Sequence, residues 1–93
     1  MNTVFAFNNA LHWIDAHTIH NSGIAVNSQN LLPYPEVTGY YIPTLLSWGE
    51  VDRAIAYGRW LLSCQHEQGC WGDPNVNEPY AFDTGQIIKG LWP

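Results

Sequence analysis

Positive charge is what this chain has least of. Arg53, Arg59 and Lys89 are the only Lys or Arg residues among 93, set against eight Asp and Glu, for a formal net charge of −5. Nucleic-acid binding and adhesion to an anionic membrane both rest on clustered Lys and Arg, so neither partner is expected. Charge of either sign is sparse, 12% of residues against roughly a quarter in ordinary soluble domains. Long apolar runs are missing as well: no stretch approaches the roughly 18 residues of a membrane span. The N-terminal "MNTVFAFNNALHWIDAH" has neither the basic start nor the long apolar stretch of an export signal. A cytoplasmic chain with no membrane span is the expectation. Cysteine is limited to Cys64 and Cys70, too few for a disulfide framework. They read as free buried thiols, with a local bridge between them as the alternative. Together with His17 and His20 they lack the C-x2-C and H-x3-H regularity of a zinc site, so no metal and no cofactor is expected.

Apolar and aromatic residues are plentiful. They make up 46% of the chain, with five Trp and five Tyr. A chain this short forms one small domain and buries only about 60–65% of its unfolded surface. With so little charge to cover the remainder, some apolar faces are expected to meet another copy, a partner or the rest of a longer protein.

Sliding the sequence along itself uncovers a period of 46. Pro33, Tyr34, Thr38, Gly39, Ile42 and Leu45 fall on Pro79, Tyr80, Thr84, Gly85, Ile88 and Leu91, six identities in thirteen positions. Upstream, Ala10, His20 and Gly23 fall on Ala56, His66 and Gly69, and Trp13 comes within one residue of Trp60. A fixed period of this length signals stacked supersecondary units, here residues 1–47 and 48–93. Each unit reads as two helices. "TVFAFNNALHWIDAH" and "EVDRAIAYGRWLLSCQ" carry apolar residues at helical spacing and form the first helices. Long loops rich in Asn, Gly and Pro follow. The second helices start after the Pro-Tyr pairs, with Pro35, Glu36 and Asp83 near their N-terminal turns. "SWGE" at 47–50 is the tight connection between units. Gly39 and Gly85 inside the second helices are poor helix formers and point to close helix approach. The expected fold is all-α: two αα-hairpins side by side, a partial α/α toroid or a short α-solenoid.

At "WLLSCQHEQGCWG" the chain resembles a family. Gln65, Gly69 and Trp71 are similar to the Q-x3-G-x-W signature of terpenoid-cyclase and prenyltransferase-like α/α toroids. "YPEVTGYYIPTLL" and "YAFDTGQIIKGL" look more like repeats of six-hairpin toroid proteins associated with bacterial polysaccharide biosynthesis. The resemblance spans residues 5–92 and implies that Gln65 and Trp71 tie helix ends together. It also implies a cavity ringed by about six inner helices, of which this chain supplies two. The chain is therefore expected to be a fragment of a longer toroid, or to self-associate, and not to be a competent enzyme alone. The acidic DxDD motif of class II terpene cyclases is absent.

The Asp-Thr-Gly at 83–85 also matches the triplet of dimeric aspartic proteases, in which two carboxylates share a proton. Its helical flanks, and Val37-Thr38-Gly39 in the other copy, argue against that assignment. In a toroid the starts of the second helices border the cavity, which makes Glu36 and Asp83 candidate general acid and base toward a sugar. Tyr34, Tyr40, Trp71, Tyr80 and Gln86 are the candidate substrate-binding residues. The alternative for both acids is capping and dipole pairing at a helix start. His20 and His66 are expected at equivalent loop positions, with a shared structural task. The leading function is a partial toroid domain resembling carbohydrate-active or polysaccharide-biosynthesis proteins, with carbohydrate as ligand. An α-hairpin repeat module for protein binding and a terpenoid-cyclase-like fragment are the alternatives.

Overall fold

The computed structural model describes residues 2–20, 22–29, 31–74 and 78–92. Helices α1 (Thr3–Ala16), α2 (Pro35–Ser47), α3 (Val51–Ser63) and α4 (Ala81–Leu91) dominate it, and strands β1 (Gly72–Asp73) and β2 (Glu78–Pro79) lie in the loop between α3 and α4. The chain is thus mostly helical. The all-α expectation is corrected by this small antiparallel ribbon, in which Gly72 faces Pro79 and Asp73 faces Glu78. Its cause is the length of the loop, whose backbone polar groups need partners once it doubles back. The loop after α1 behaves alike, with single bridges between Thr18 and Ile24 and between Ala25 and Pro33.

Local chemistry sets the helix starts. The Asn2 side chain accepts from the Phe5 N–H at 3.0 Å to open α1, an N-cap that satisfies one otherwise unpaired donor. Pro35 opens α2, where its missing N–H loses no helical bond. Tyr34 and Tyr80, both extended, precede α2 and α4.

Two features then decide which helices pack. Only Trp48, Gly49 and Glu50 separate α2 from α3, and Gly49 turns the chain with φ +78, so the two helices fold back on each other as an αα-turn. Glycines bring α2 against α4: a Cβ added to Gly39 would sit 2.8 Å from the Ile87 Cα. Gly90 backs onto the Gly39 carbonyl, which Pro43, having no N–H, leaves without its helical donor. As a result α2 packs against both α3 and α4, while α3 touches α4 much less and α1 makes few helix contacts. The sequence reading paired α1 with α2 and α3 with α4. The short connection and the glycine crossing override that pairing, because long loops let first and second helices of a unit separate.

The core gathers Ile24, Ile42, Leu45, Ala54, Tyr57, Leu61, Trp71 and Ile87. Helix α1 adds buried Leu11 and is pinned at its edges. Phe7 meets Trp48 edge-on at 4.8 Å, Thr18 and Tyr57 share a 2.7 Å hydroxyl bond, and Arg53 of α3 forks onto both oxygens of Asp15.

The two loops share one hydrogen-bond scheme. The Ile19 N–H donates to the Gly23 carbonyl and that of Ser22 to Ile19; likewise the His66 N–H donates to Cys70 and that of Gly69 to His66. The Tyr34 N–H bonds the Ile24 carbonyl as the Tyr80 N–H bonds that of Trp71. The offset is therefore 47 before the loop tip and 46 after it. This corrects the pairing of His20 with His66: His66 takes the place of Ile19. Gly23 and Gly69 also part company. Gly69 supplies a φ of +97, whereas Gly23 leaves room for Thr38 and Trp60.

Candidate functional site

The repeated Thr-Gly has a structural explanation. Thr38 Oγ1 accepts from the Ile24 N–H at 2.9 Å and donates to the Tyr34 carbonyl at 2.9 Å. Thr84 Oγ1 accepts from the Trp71 N–H at 3.0 Å and donates to the Tyr80 carbonyl at 2.8 Å. Each threonine clamps its loop onto the first turn of the second helix, a use of side-chain bonding to nearby backbone that suits Thr at helix starts. The Thr of the Asp-Thr-Gly triplet is thus a clamp.

That clamp fixes where the neighbouring acid points. Asp83, one residue before Thr84, is only 7% exposed and accepts a 3.1 Å hydrogen bond from the Tyr34 hydroxyl at the start of α2. Burial first, and then the bond to Asp83, push the Tyr34 phenol up to about 12. Glu36, in the first turn of α2 and half-buried, is raised above the ordinary glutamate range, by burial first and by the Asp83 charge second. Asp73 of β1 and Tyr80 are close enough to act on the same phenol. The starts of α2 and α4 therefore bring Tyr34, Glu36, Asp83, Asp73 and Tyr80 into one electrostatically linked group.

Glu36, its carboxyl raised by burial and the Asp83 charge, and Asp83 both present carboxyl oxygens, and Tyr34 donates its hydroxyl to Asp83. A ligand bearing several hydroxyls can donate to such oxygens. Neither Glu36 nor Asp83 lines either of two hollows of the fold, one of about 340 Å³ lined by Ala56, Arg59, Trp60 and Ser63, the other of about 190 Å³ between α2, α3 and α4.

The remaining candidates divide. Tyr40, one turn beyond Glu36, is largely exposed, and Tyr80 is exposed beside the acids. Gln86 is half-buried, and its Oε1 is shielded from solvent with no hydrogen-bond partner among the described residues. Trp71 as a sugar-stacking residue is corrected: it lies in the core, 3% exposed, with Nε1 donating to the Leu61 carbonyl at 2.8 Å. Its indole needs a buried partner, and the end of α3 supplies one. Gln65 Nε2 donates to the Gly69 carbonyl at 2.8 Å and closes the same turn.

Asp73 escaped the sequence reading because it sits in a loop with no periodicity. Its one signal was its place two residues after Trp71. Elsewhere, Cys64 and Cys70 are free, and burial raises the Cys64 thiol, which makes it a poor nucleophile. His17 bonds the Trp13 carbonyl through Nδ1 at 2.7 Å and the Ser28 hydroxyl through Nε2 at 2.6 Å, tying loop to helix. Among the described residues no three His, Cys, Asp or Glu side chains are grouped to hold a metal, and no helix is long and apolar enough to cross a membrane. No family model, no curated protein and no solved structure matches this chain.

Proposed function

We propose that this chain is a two-unit portion of a helical repeat array of the α/α-toroid kind, and that the rim formed by Tyr34, Glu36 and Asp83 binds a carbohydrate. The buried Asp83 carboxylate held by Tyr34 across two helices is the observation that carries the reading. A carboxylate removed from water needs strong partners. A sugar with adjacent hydroxyls supplies them, with Glu36 as a second carboxyl on the other side and Tyr40 or Tyr80 as the ring-stacking surface.

Oligosaccharide titration followed by amide chemical shifts tests this. The unmodified chain is expected to show saturable shifts at residues 34–40 and 80–86. Asp83→Asn is expected to weaken binding by about tenfold or more, the effect of one lost charge-assisted hydrogen bond of about 1.5–3 kcal/mol. Binding that is unchanged in both Asp83→Asn and Glu36→Gln removes the two acids from the role.

A further inference from the structure

The first helices of the two units carry a tryptophan at the same place, and only one of the two has a ring laid on it. By the offset of 47 that holds before the loop tip, Trp13 and His17 at the end of α1 correspond to Trp60 and Cys64 at the end of α3. His17 stacks on Trp13 with ring centroids 3.7 Å apart and planes 18° from parallel. Cys64 has no ring to offer. Among the described residues Trp60 has no aromatic partner, and it lines the hollow of about 340 Å³ together with Ala56, Arg59 and Ser63. These four lie at i, i+3, i+4 and i+7 and so share one face of α3. The loop of the first unit backs the indole, since a Cβ added to Gly23 would come 2.4 Å from Trp60 Cζ3. Trp60 is thus held at the junction of the two units.

Arg59 sets the charge that a ligand there must carry. Arg53, the other arginine, is taken by Asp15 and Glu50. Arg59 is exposed and has no ion pair or hydrogen bond among the described residues, and no Asp or Glu lines the hollow. Its guanidinium presents N–H donors in a planar fork that fits a carboxylate through two bonds at once. The Trp60 indole N–H also has no acceptor among the described residues, whereas that of Trp71 is spent on the Leu61 carbonyl. One cation in a chain of net charge −5 suits a monoanion better than a phosphate, whose second charge would find no partner and would be repelled by the rest of the molecule. The volume of the hollow stands near the lower end of the roughly 300–1,000 Å³ of small-molecule sites, which is room for one or two rings.

We infer that the hollow over Trp60 binds a small aromatic carboxylate, its ring laid on the indole as His17 lies on Trp13 and its carboxylate paired with Arg59. This is independent of the carbohydrate reading, since neither Glu36 nor Asp83 lines the hollow.

Titration of the full chain with benzoate, followed by amide and indole N–H chemical shifts, tests it, with benzyl alcohol as the uncharged ring and acetate as the anion without a ring. Saturable shifts at residues 56–63 and at the Trp60 indole N–H are expected with benzoate, and weaker binding with either comparison compound. Arg59→Gln alters an exposed position and is expected to weaken benzoate binding about two- to fivefold, the effect of losing an exposed charge pair. Lys89→Gln removes the same charge from an exposed position on α4 and is expected to leave binding unchanged. Trp60→Leu, with circular dichroism confirming its fold, is expected to abolish saturable binding. Added salt is expected to weaken the benzoate complex, because the pairing with Arg59 is exposed and screened. The proposal is overturned by an absence of saturable shifts at residues 56–63, by acetate or benzyl alcohol binding as tightly as benzoate, or by Lys89→Gln weakening binding as much as Arg59→Gln.

Discussion

Glu36 shows how one side chain links stability to the rim. Its folded pKa is raised, so the folded state holds the Glu36 proton more tightly than the unfolded chain does. The stability this represents is present in full below the unfolded glutamate value and is lost as pH rises through the higher folded value. Ionised Glu36 at neutral pH is therefore a liability to the fold. Glu36→Gln is expected to raise the melting temperature at pH 7 and to lose that advantage as pH falls toward 4.5, in thermal melts across the range. Equal melting curves at both pH values would count against the partial burial assigned to Glu36. The sequence disclosed that an acid stood at each second-helix start. It did not disclose that Tyr34 would reach Asp83, because residues 49 apart meet only after the loops have folded back.

At the scale of the element, Gly39 and Gly85 occupy equivalent positions with opposite surroundings. Both incur the helix-propensity penalty of about 1 kcal/mol relative to Ala. Gly85→Ala is expected to recover about that amount, since open space surrounds the new methyl. Gly39→Ala places its methyl 2.8 Å from the Ile87 backbone and 2.9 Å from its side chain. Such overpacking costs roughly 1–3 kcal/mol, which offsets or exceeds the helical gain. Chemical denaturation of the two variants is expected to move their midpoints apart, with Gly85→Ala the more stable. The periodicity announced both glycines as sites of close approach. Only the packing of α4 on α2 separates the one that is used from the one that is bare.

Across the whole molecule, stability is distributed unevenly. Helix α2 is held on two sides, by α3 and α4, whereas α1 leaves Val4, Phe5 and Trp13 exposed and buries only Leu11. Its attachment rests on the Phe7–Trp48 contact, the Thr18–Tyr57 bond and the Asp15–Arg53 pair. Such ion pairs, a third or more exposed, contribute at most about 1 kcal/mol. Segments with few buried apolar contacts open locally at lower free energy than the core. Native-state hydrogen exchange is expected to show the α1 amides exchanging well before those around Thr38, Leu45 and Leu61. Uniform protection across all four helices would mean that α1 is gripped more firmly than these contacts imply.

What the sequence determined by itself was local: four helices, the starts of the second and fourth after the Pro-Tyr pairs, and the doubled Thr-Gly pattern, because periodicity, turn residues and glycine spacing act over a few residues. What the tertiary structure alone decided was association. Loop hydrogen bonds moved the repeat offset from 46 to 47 before the loop tip, sent Trp71 into the core, and gathered Tyr34, Glu36, Asp73 and Asp83 at one end of two helices. The same folding covered Gly39 and left its twin Gly85 bare. Burial is a property of neighbours brought together by the whole chain, so identical residues at equivalent positions can be core in one unit and surface in the other.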